Sequence, residues 1–145
     1  MARLRLIVAG GRDFTDLTAV ARVIRSLNSQ PTEIVCGEAR GADTLGRRWA
    51  EGHRCAVKSF VPEWSTKAGG FIRNTQMAEY GDALLAFWDG VSKGTEQMIE
   101  EANRLGLYVK VIYYLKSSEK CDRIGGTVTK YTYSEPNLNI GDMYG

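Results

Sequence analysis

The sequence has little of what builds a metal site or a histidine-dependent active site, since its 145 residues include one histidine, His53, and three cysteines. Tetrahedral zinc sites take about four closely spaced Cys or His ligands, and Cys36, Cys55 and Cys121 are too scattered to supply them. A single histidine leaves a Ser-His-Asp triad without support, and no GxSxG segment occurs. We therefore predict no metal, no cofactor, and the reduced thiols of an intracellular protein.

Excess charge and long apolar runs are also missing. The 19 basic and 17 acidic residues give a net charge of +2, too balanced to indicate a nucleic-acid-binding surface. No apolar run approaches the ~18 residues of a membrane span, and Met1–Gly11 is too short for a signal peptide. We expect a cytoplasmic protein with no membrane partner and no nucleic-acid partner, folded as one domain around its own core.

What the sequence does have is a pattern that occurs four times, in which a short apolar run leads into a polar loop with glycines and then an amphipathic stretch. The loops are residues 10–14, 37–43, 69–74 and 89–95. Because strand-to-helix loops of a parallel sheet emerge at one edge, the four loops should converge on one crevice. Helix N-termini and backbone N–H groups there favour anions. The pattern predicts a site for a phosphate-bearing small molecule.

The alternation of strands and helices predicts an α/β fold with a central sheet of five parallel strands. The predicted strands are residues 4–9, 33–36, 55–61, 83–88 and 107–114. The helices between them have apolar residues at helical spacing, and Asp16 or Thr15 is placed to cap the first one. We assign residues 1–116 to this domain and residues 117–145 to a short C-terminal extension.

The C-terminal extension differs from the rest of the chain. Ser117–Lys120 is polar and resembles a linker, whereas Thr127–Tyr133 alternates with high β-propensity. The alternation fits an extra strand on the chain's own sheet, an arm across a partner subunit, or a partly ordered extension. Tyrosines are frequent near this end and are enriched at interfaces, which favours a homo-oligomer, most simply a dimer.

Candidate ligand-binding residues follow from the chemistry of the loops. Glycine lets the backbone approach a ligand, arginine pairs with phosphate, and asparagine suits a base or phosphate edge. Hydroxyl groups at the start of a helix complete a phosphate nest. The candidates are Gly10, Gly11, Arg12, Gly37, Glu38, Arg40, Gly41, Asp43, Arg73, Asn74, Asp89, Gly90, Ser92, Gly94 and Thr95.

Plainer structural roles compete with ligand binding at several of these positions. Asp43 is favoured as the N-cap of the second helix, whereas a simple cap role for Thr95 explains only part of the loop before it. The two glycines at 10–11 would serve equally well just to turn the chain. Trp64 and Phe71 would stack on a base or, slightly favoured, pack in the core or a lid.

Taken together, the loops resemble the YspA-type, cpYpsA-related branch of the SLOG superfamily. The resemblance covers roughly residues 4–114 and is carried by VAGGRDF from Val8, GEARGAD from Gly37, PEW from Pro62, GGFIRNTQM from Gly69 and WDGVSKGT from Trp88. It implies a Rossmann-like three-layer fold with strand order 3-2-1-4-5. It also implies a bacterial or phage protein, often oligomeric, that binds a nucleotide or a nucleotide-derived signal such as an ADP-ribose derivative.

The superfamily includes the Lonely Guy phosphoribohydrolases, whose PGGxGTxxE motif ends in a catalytic glutamate. The matching segment here, Gly90 to Met98, has Met98 in place of that glutamate. A thioether neither exchanges protons nor stabilises an oxocarbenium-like centre. The sequence therefore favours a sensor or sequestering protein. The alternatives are an N-glycoside hydrolase or transferase, with Glu38 or Glu96 as substitute catalytic residue, and an interaction protein with a vestigial pocket.

Overall fold

A computed structural model describes residues 3–37, 41–63, 65, 68–121 and 125–135. Strands and helices alternate along it and end in two consecutive strands. The elements are β1 (Arg5–Gly10), α1 (Leu17–Arg25), β2 (Glu33–Cys36), α2 (Ala42–Gly52), β3 (Ala56–Ser59), α3 (Gly69–Tyr80), β4 (Ala83–Trp88), α4 (Lys93–Arg104), β5 (Tyr108–Cys121) and β6 (Gly126–Ser134).

The strands form one sheet in the order β3-β2-β1-β4-β5-β6. β1 to β5 are parallel, as predicted, whereas β6 runs antiparallel to β5. The prediction of a five-stranded, wholly parallel sheet is therefore wrong, because a sixth strand extends the sheet at its β5 edge. The parallel part still places the first, second and fourth predicted loops at the carboxyl ends of β1, β2 and β4.

The core has two parts, one on each face of the sheet. One contains Phe14, Val20 and Ile24 with residues of α2, and the other contains residues of α3 and α4 such as Met77 and Met98. Strand β4 contributes to both, and Ala83, Leu84, Leu85, Ala86 and Phe87 are all buried. A continuous apolar run is what a parallel strand covered on both faces requires.

The helix starts differ from the predictions in two places. Helix α3 begins at Gly69, so the predicted third loop, residues 69–74, forms the first turns of that helix. Helix α2 takes Gly41 as its N-cap, and Asp43 lies inside the first turn. The cap role favoured for Asp43 is wrong because its carboxylate accepts a hydrogen bond from the Gly37 N–H, 3.1 Å away, instead of capping its own helix.

The C-terminal extension adds a strand to the chain's own sheet. Ser117–Lys120 was predicted as a linker but continues β5 and pairs with Thr127–Lys130. Of the three alternatives for Thr127–Tyr133, the structure has the extra strand on the chain's own sheet, as part of β6. The linker prediction failed because an exposed two-stranded ribbon has polar side chains on both faces, as a linker does. Across the described residues, no helix is long and apolar enough to cross a membrane.

Candidate functional site

A cleft of about 420 Å³ opens where the carboxyl ends of β1 and β4 meet the first turns of α2, α3 and α4. The three predicted loops and the first turns of α3 all contribute to it, which agrees with the expected convergence. The predicted residues that line the cleft are Gly10, Gly11, Arg12, Asp43, Arg73, Asn74, Asp89, Ser92, Gly94 and Thr95. Sequence reasoning did not single out Ala9, Asp13 or Met77 as lining residues, and Met98 lines the cleft as well.

Several predicted residues are not part of the lining. Gly37, Gly41 and Gly90 are described but do not line the cleft, and neither does the catalytic candidate Glu96, which faces Lys93 at 4.0 Å. Glu38, Arg40 and Trp64 lie outside the described residues. Phe71 is 51% exposed, so core packing is wrong for this side chain.

Arg73 reaches the cleft from α3 and is held in place by polar contacts. Its Nη1 donates a hydrogen bond to the Gly37 carbonyl, and its Nε donates to Asn74 Oδ1 at 3.1 Å. A Cβ at position 37 would collide with the Arg73 guanidinium, so Gly37 provides the space this arginine occupies. The glycine in the second loop thus serves the site indirectly.

The charge around Arg73 favours an incoming anion. Burial lowers the pKa of Arg73, the Asp43 carboxylate raises it, and the Arg12 guanidinium lowers it. Arginine stays protonated at any ordinary pH, so the two guanidinium groups repel each other. A bound anion between them would relieve that repulsion and form charge-assisted hydrogen bonds.

Asn74 joins the third helix to the fourth. Its Nδ2 donates to the Gly94 carbonyl at 3.2 Å and to Gln97 Oε1 at 2.6 Å, while its Oδ1 accepts from Arg73. Asn74 is buried, and both ends of its amide are used within the protein. It therefore fixes Arg73 against the start of α4, and its amide has little capacity left for a ligand.

Asp89 fixes the loop between β4 and α4. Its Oδ1 accepts from the N–H groups of Val91 and Ser92, and its Oδ2 accepts from the Ser92 hydroxyl. Burial raises the pKa of the Asp89 carboxyl, but these hydrogen bonds together lower it by more, so that the pKa lies below the ordinary value. The Ser92 hydroxyl is thereby used as a donor within the loop, so Asp89 and Ser92 shape the cleft.

The start of α4 offers the cleft unused donors. Ser92 is the N-cap but its side chain makes no capping hydrogen bond, so the first N–H groups of this 12-residue helix lack that partner. Thr95 lines the cleft in the first turn and is only 6% exposed. Its hydroxyl has no hydrogen-bond partner among the described residues. A helix N-terminus beside an unpaired hydroxyl that opens onto the cleft is suited to hold an anion.

The loop after β1 is held from the far end of the chain. The Tyr114 hydroxyl donates to Asp13 Oδ1 at 2.6 Å, and Tyr131 donates to the Asp13 carbonyl at 2.9 Å. A Cβ at Gly11 would overlap the Tyr114 hydroxyl, which explains this glycine by close approach of the tyrosine. No local sequence signal identifies these contacts, since Tyr114 follows Asp13 by 101 positions.

In the part of the cleft that the structure describes, no group indicates metal or histidine chemistry. Among the described residues, no three His, Cys, Asp or Glu side chains lie close enough together to hold a metal ion. His53 lies at the end of α2, where its ring stacks on Trp49. The chemistry that the described cleft offers is therefore anion binding by two arginines and a helix N-terminus, beside carboxylates.

Comparison with known proteins agrees with the family resemblance of the loop sequences. The model of YAcAr, described as the YspA, cpYpsA-related SLOG family, matches residues 4–66, which include the loops after β1 and β2. The Gene 61 protein of Mycobacterium phage D29 is 35% identical over 116 residues, covering 72% of this chain and 93% of the phage protein. These matches show that the chain belongs to the YspA, cpYpsA-related SLOG family.

Proposed function

We propose that the cleft binds a phosphorylated nucleotide or an ADP-ribose-derived molecule, and that the protein senses or sequesters this ligand. The observation that carries the proposal is the unpartnered hydroxyl of the largely buried Thr95 at the N-terminus of α4, in a cleft that Arg12 and Arg73 also line. A phosphate there would accept hydrogen bonds from the helix N–H groups and from both guanidinium groups. The volume of about 420 Å³ falls in the range of small-ligand sites.

Binding without turnover is favoured over N-glycosidic cleavage. Met98 lines the cleft at the position where the Lonely Guy motif places its glutamate, and a thioether supplies neither acid-base nor oxocarbenium chemistry. The substitute Glu96 does not line the cleft. An N-glycoside hydrolase or transferase remains the alternative function, and its activity would have to come from another carboxylate.

The oligomer remains a proposal of ours as well. The argument from interface tyrosines is weaker, because Tyr114, Tyr131 and Tyr133 pack around Phe14 of the same chain. Support now comes only from the general preference of soluble proteins of this size for two-fold pairs. Light scattering that gives the mass of a single 16.1 kDa chain would exclude it.

Calorimetric titration with the four ribonucleoside 5′-monophosphates and ADP-ribose tests the proposed function. Thr95→Ala and Arg73→Ala should each weaken binding about ten- to a hundred-fold, the effect of losing a hydrogen bond to a charged group. Thr95→Ala removes no protein hydrogen bond among the described residues and keeps the Cβ, so its thermal unfolding should stay close to that of the wild type. Thr75→Ala is its control, because this hydroxyl donates to Phe71 O outside the cleft.

Arg104→Ala is the control for Arg73→Ala, since Arg104 lies at the C-terminal end of α4, does not line the cleft and pairs with Glu101. Equal affinity of wild type and both cleft variants would contradict the proposed site. Mass spectrometry of the same mixtures decides between the functions. Free base released from a monophosphate indicates the hydrolase, ligand retained unchanged indicates the binder, and neither indicates a vestigial pocket.

A further inference from the structure

Among the described residues, three carboxylates line the cleft, Asp13, Asp43 and Asp89, which is unexpected for a site that favours anions. The Asp89 oxygens are occupied by hydrogen bonds from its own loop. The Asp43 carboxylate accepts from the Gly37 N–H and faces Arg73. Both carboxylates therefore have a role in holding the fold. Asp13 differs from them.

The Asp13 carboxylate is fixed on one side and open on the other. Its Oδ1 accepts the hydrogen bond of Tyr114, and no residue of the described chain donates to its Oδ2. Tyr114 is only 2% exposed and its pKa is raised strongly by burial and by this hydrogen bond, so its hydroxyl stays a donor. Tyr131 fixes the Asp13 main chain through the carbonyl. An exposed carboxylate held at both side chain and main chain is positioned toward the cleft.

A positioned carboxylate selects which part of a phosphorylated ligand lies against it. An ionised carboxylate only accepts hydrogen bonds, and it repels phosphate. The part of the ligand at Asp13 must therefore bring donors. Asp13 directly follows Arg12, so the group attached to an arginine-bound phosphate is the part within reach. In a nucleotide that group is the ribose, whose hydroxyls are recognised by carboxylates in other nucleotide sites.

We infer that Asp13 accepts hydrogen bonds from the ribose hydroxyl groups of a bound nucleotide, and that Tyr114 is the positioning residue that holds its carboxylate for this contact. The inference rests on the proposed function and deepens it, because it assigns the ligand as a ribonucleotide. The Tyr114–Asp13 contact therefore has a role beyond satisfying a buried hydroxyl.

The test compares the four ribonucleoside 5′-monophosphates with their 2′,3′-dideoxy counterparts, which keep the phosphate and base but lack both hydroxyls. The wild type should bind the best ribonucleotide about ten-fold or more tightly than its dideoxy counterpart. Asp13→Asn should bring this ratio close to one and leave dideoxy affinity largely unchanged. Tyr114→Phe should lower the ratio in the same direction, whereas a purely structural role would weaken both ligands alike.

Asp16→Asn is the matched control. Asp16 also accepts from a C-terminal tyrosine, Tyr133, but its other oxygen accepts from the Ala19 N–H and it does not line the cleft. This variant should keep the wild-type ratio. An unchanged ratio in Asp13→Asn, or equal loss of both ligands, overturns the inference. If the wild type binds neither class, the inference is overturned, and if it also fails to bind ADP-ribose, the proposed function has failed as well. Dideoxy binding equal to ribonucleotide binding overturns only the inference.

Discussion

Two loops that line the same cleft are fixed in opposite ways. The loop between β4 and α4 is held by its own neighbours, because Asp89 bonds to Val91 and Ser92 and the Trp88 indole donates to Ser92 O at 3.1 Å. The loop between β1 and α1 is held by tyrosines more than 100 positions away. One side of the cleft is therefore fixed by local contacts and the other by tyrosines of the last two strands, β5 and β6. Substitutions in the two loops should have different consequences.

The largest effect on stability is expected at Phe14, where the loop between β1 and α1 packs into the core. This ring is fully buried, stacks on Phe87 at 4.6 Å between centroids, and contacts Tyr114, Tyr131 and Tyr133. Phe14→Ala should lower the free energy of unfolding by about 3–5 kcal/mol, because it removes a buried ring and leaves a cavity among the side chains that packed against it. Urea denaturation measures it. Val91→Ala in the other loop, 72% exposed, should change it by less than about 0.5 kcal/mol.

If Phe14→Ala cost no more than Val91→Ala, the aromatic cluster would not be what anchors the first loop, and the comparison between the loops would fail.

A smaller, pH-dependent effect is expected at Asp89 in the local loop. The pKa of Asp89 in the folded state lies below the ordinary value, so the ionised carboxylate stabilises the folded protein. This stabilisation is fully present above the unfolded-state pKa of about 3.9 and is lost as the pH falls through the folded-state pKa. Asp89→Asn should cost about 1–2 kcal/mol near neutral pH. Its unfolding curve should approach that of the wild type in acid.

Glu96→Gln serves as the control for this pH series, because Glu96 is in the first turn of the same helix and faces only Lys93, which is 87% exposed. It should cost a few tenths of a kcal/mol at most, as exposed ion pairs do. A gap between wild type and Asp89→Asn that stays constant down to pH about 2 would show that the Asp89 charge is not what holds the loop.

The smallest effect on stability is expected at Tyr131, where one substitution tests the hydrogen bonds of a single hydroxyl to the loop between β1 and α1. The Tyr131 hydroxyl donates to the Asp13 carbonyl and accepts from the Thr15 N–H at 3.1 Å, both partly open to water. Tyr131→Phe keeps the ring on Phe14 and should cost about 0.5–1 kcal/mol. Tyr113→Phe, on the neighbouring strand β5, is the control and should cost less. Equal costs in the two variants would argue against a hydroxyl clamp.

The parts of the molecule that sequence could predict are those set by neighbours in the chain. The run Ala83–Trp88 predicted a strand, and β4 has these same bounds. The family resemblance supplied the order of the parallel strands. The convergence of Arg12, Arg73 and Thr95 followed from the rule that parallel strands present their loops at one edge.

The parts that could not be predicted depend on partners that lie in another loop, helix or strand, or across a turn. Asp43 resembles an N-cap by position, but its partner is Gly37 across the turn. Asn74 looked like a ligand contact, yet its amide is used by Gly94 and Gln97, 20 and 23 positions away. Asp13 was missed because its significance comes from Tyr114. Composition and spacing give no information on such partners.

The contacts of Tyr131 and Tyr133 also bear on the order in which the molecule is made. A chain leaves the ribosome from its N-terminus, so the loop at 11–16 emerges long before the strand whose tyrosines hold it. Until β6 has been synthesised and paired, Asp13 lacks its main-chain partner and Phe14 lacks two of its ring neighbours. The loop encoded first is thus completed late, and a nascent chain stalled before Tyr131 would carry the arginines of the cleft without the clamp that orders it.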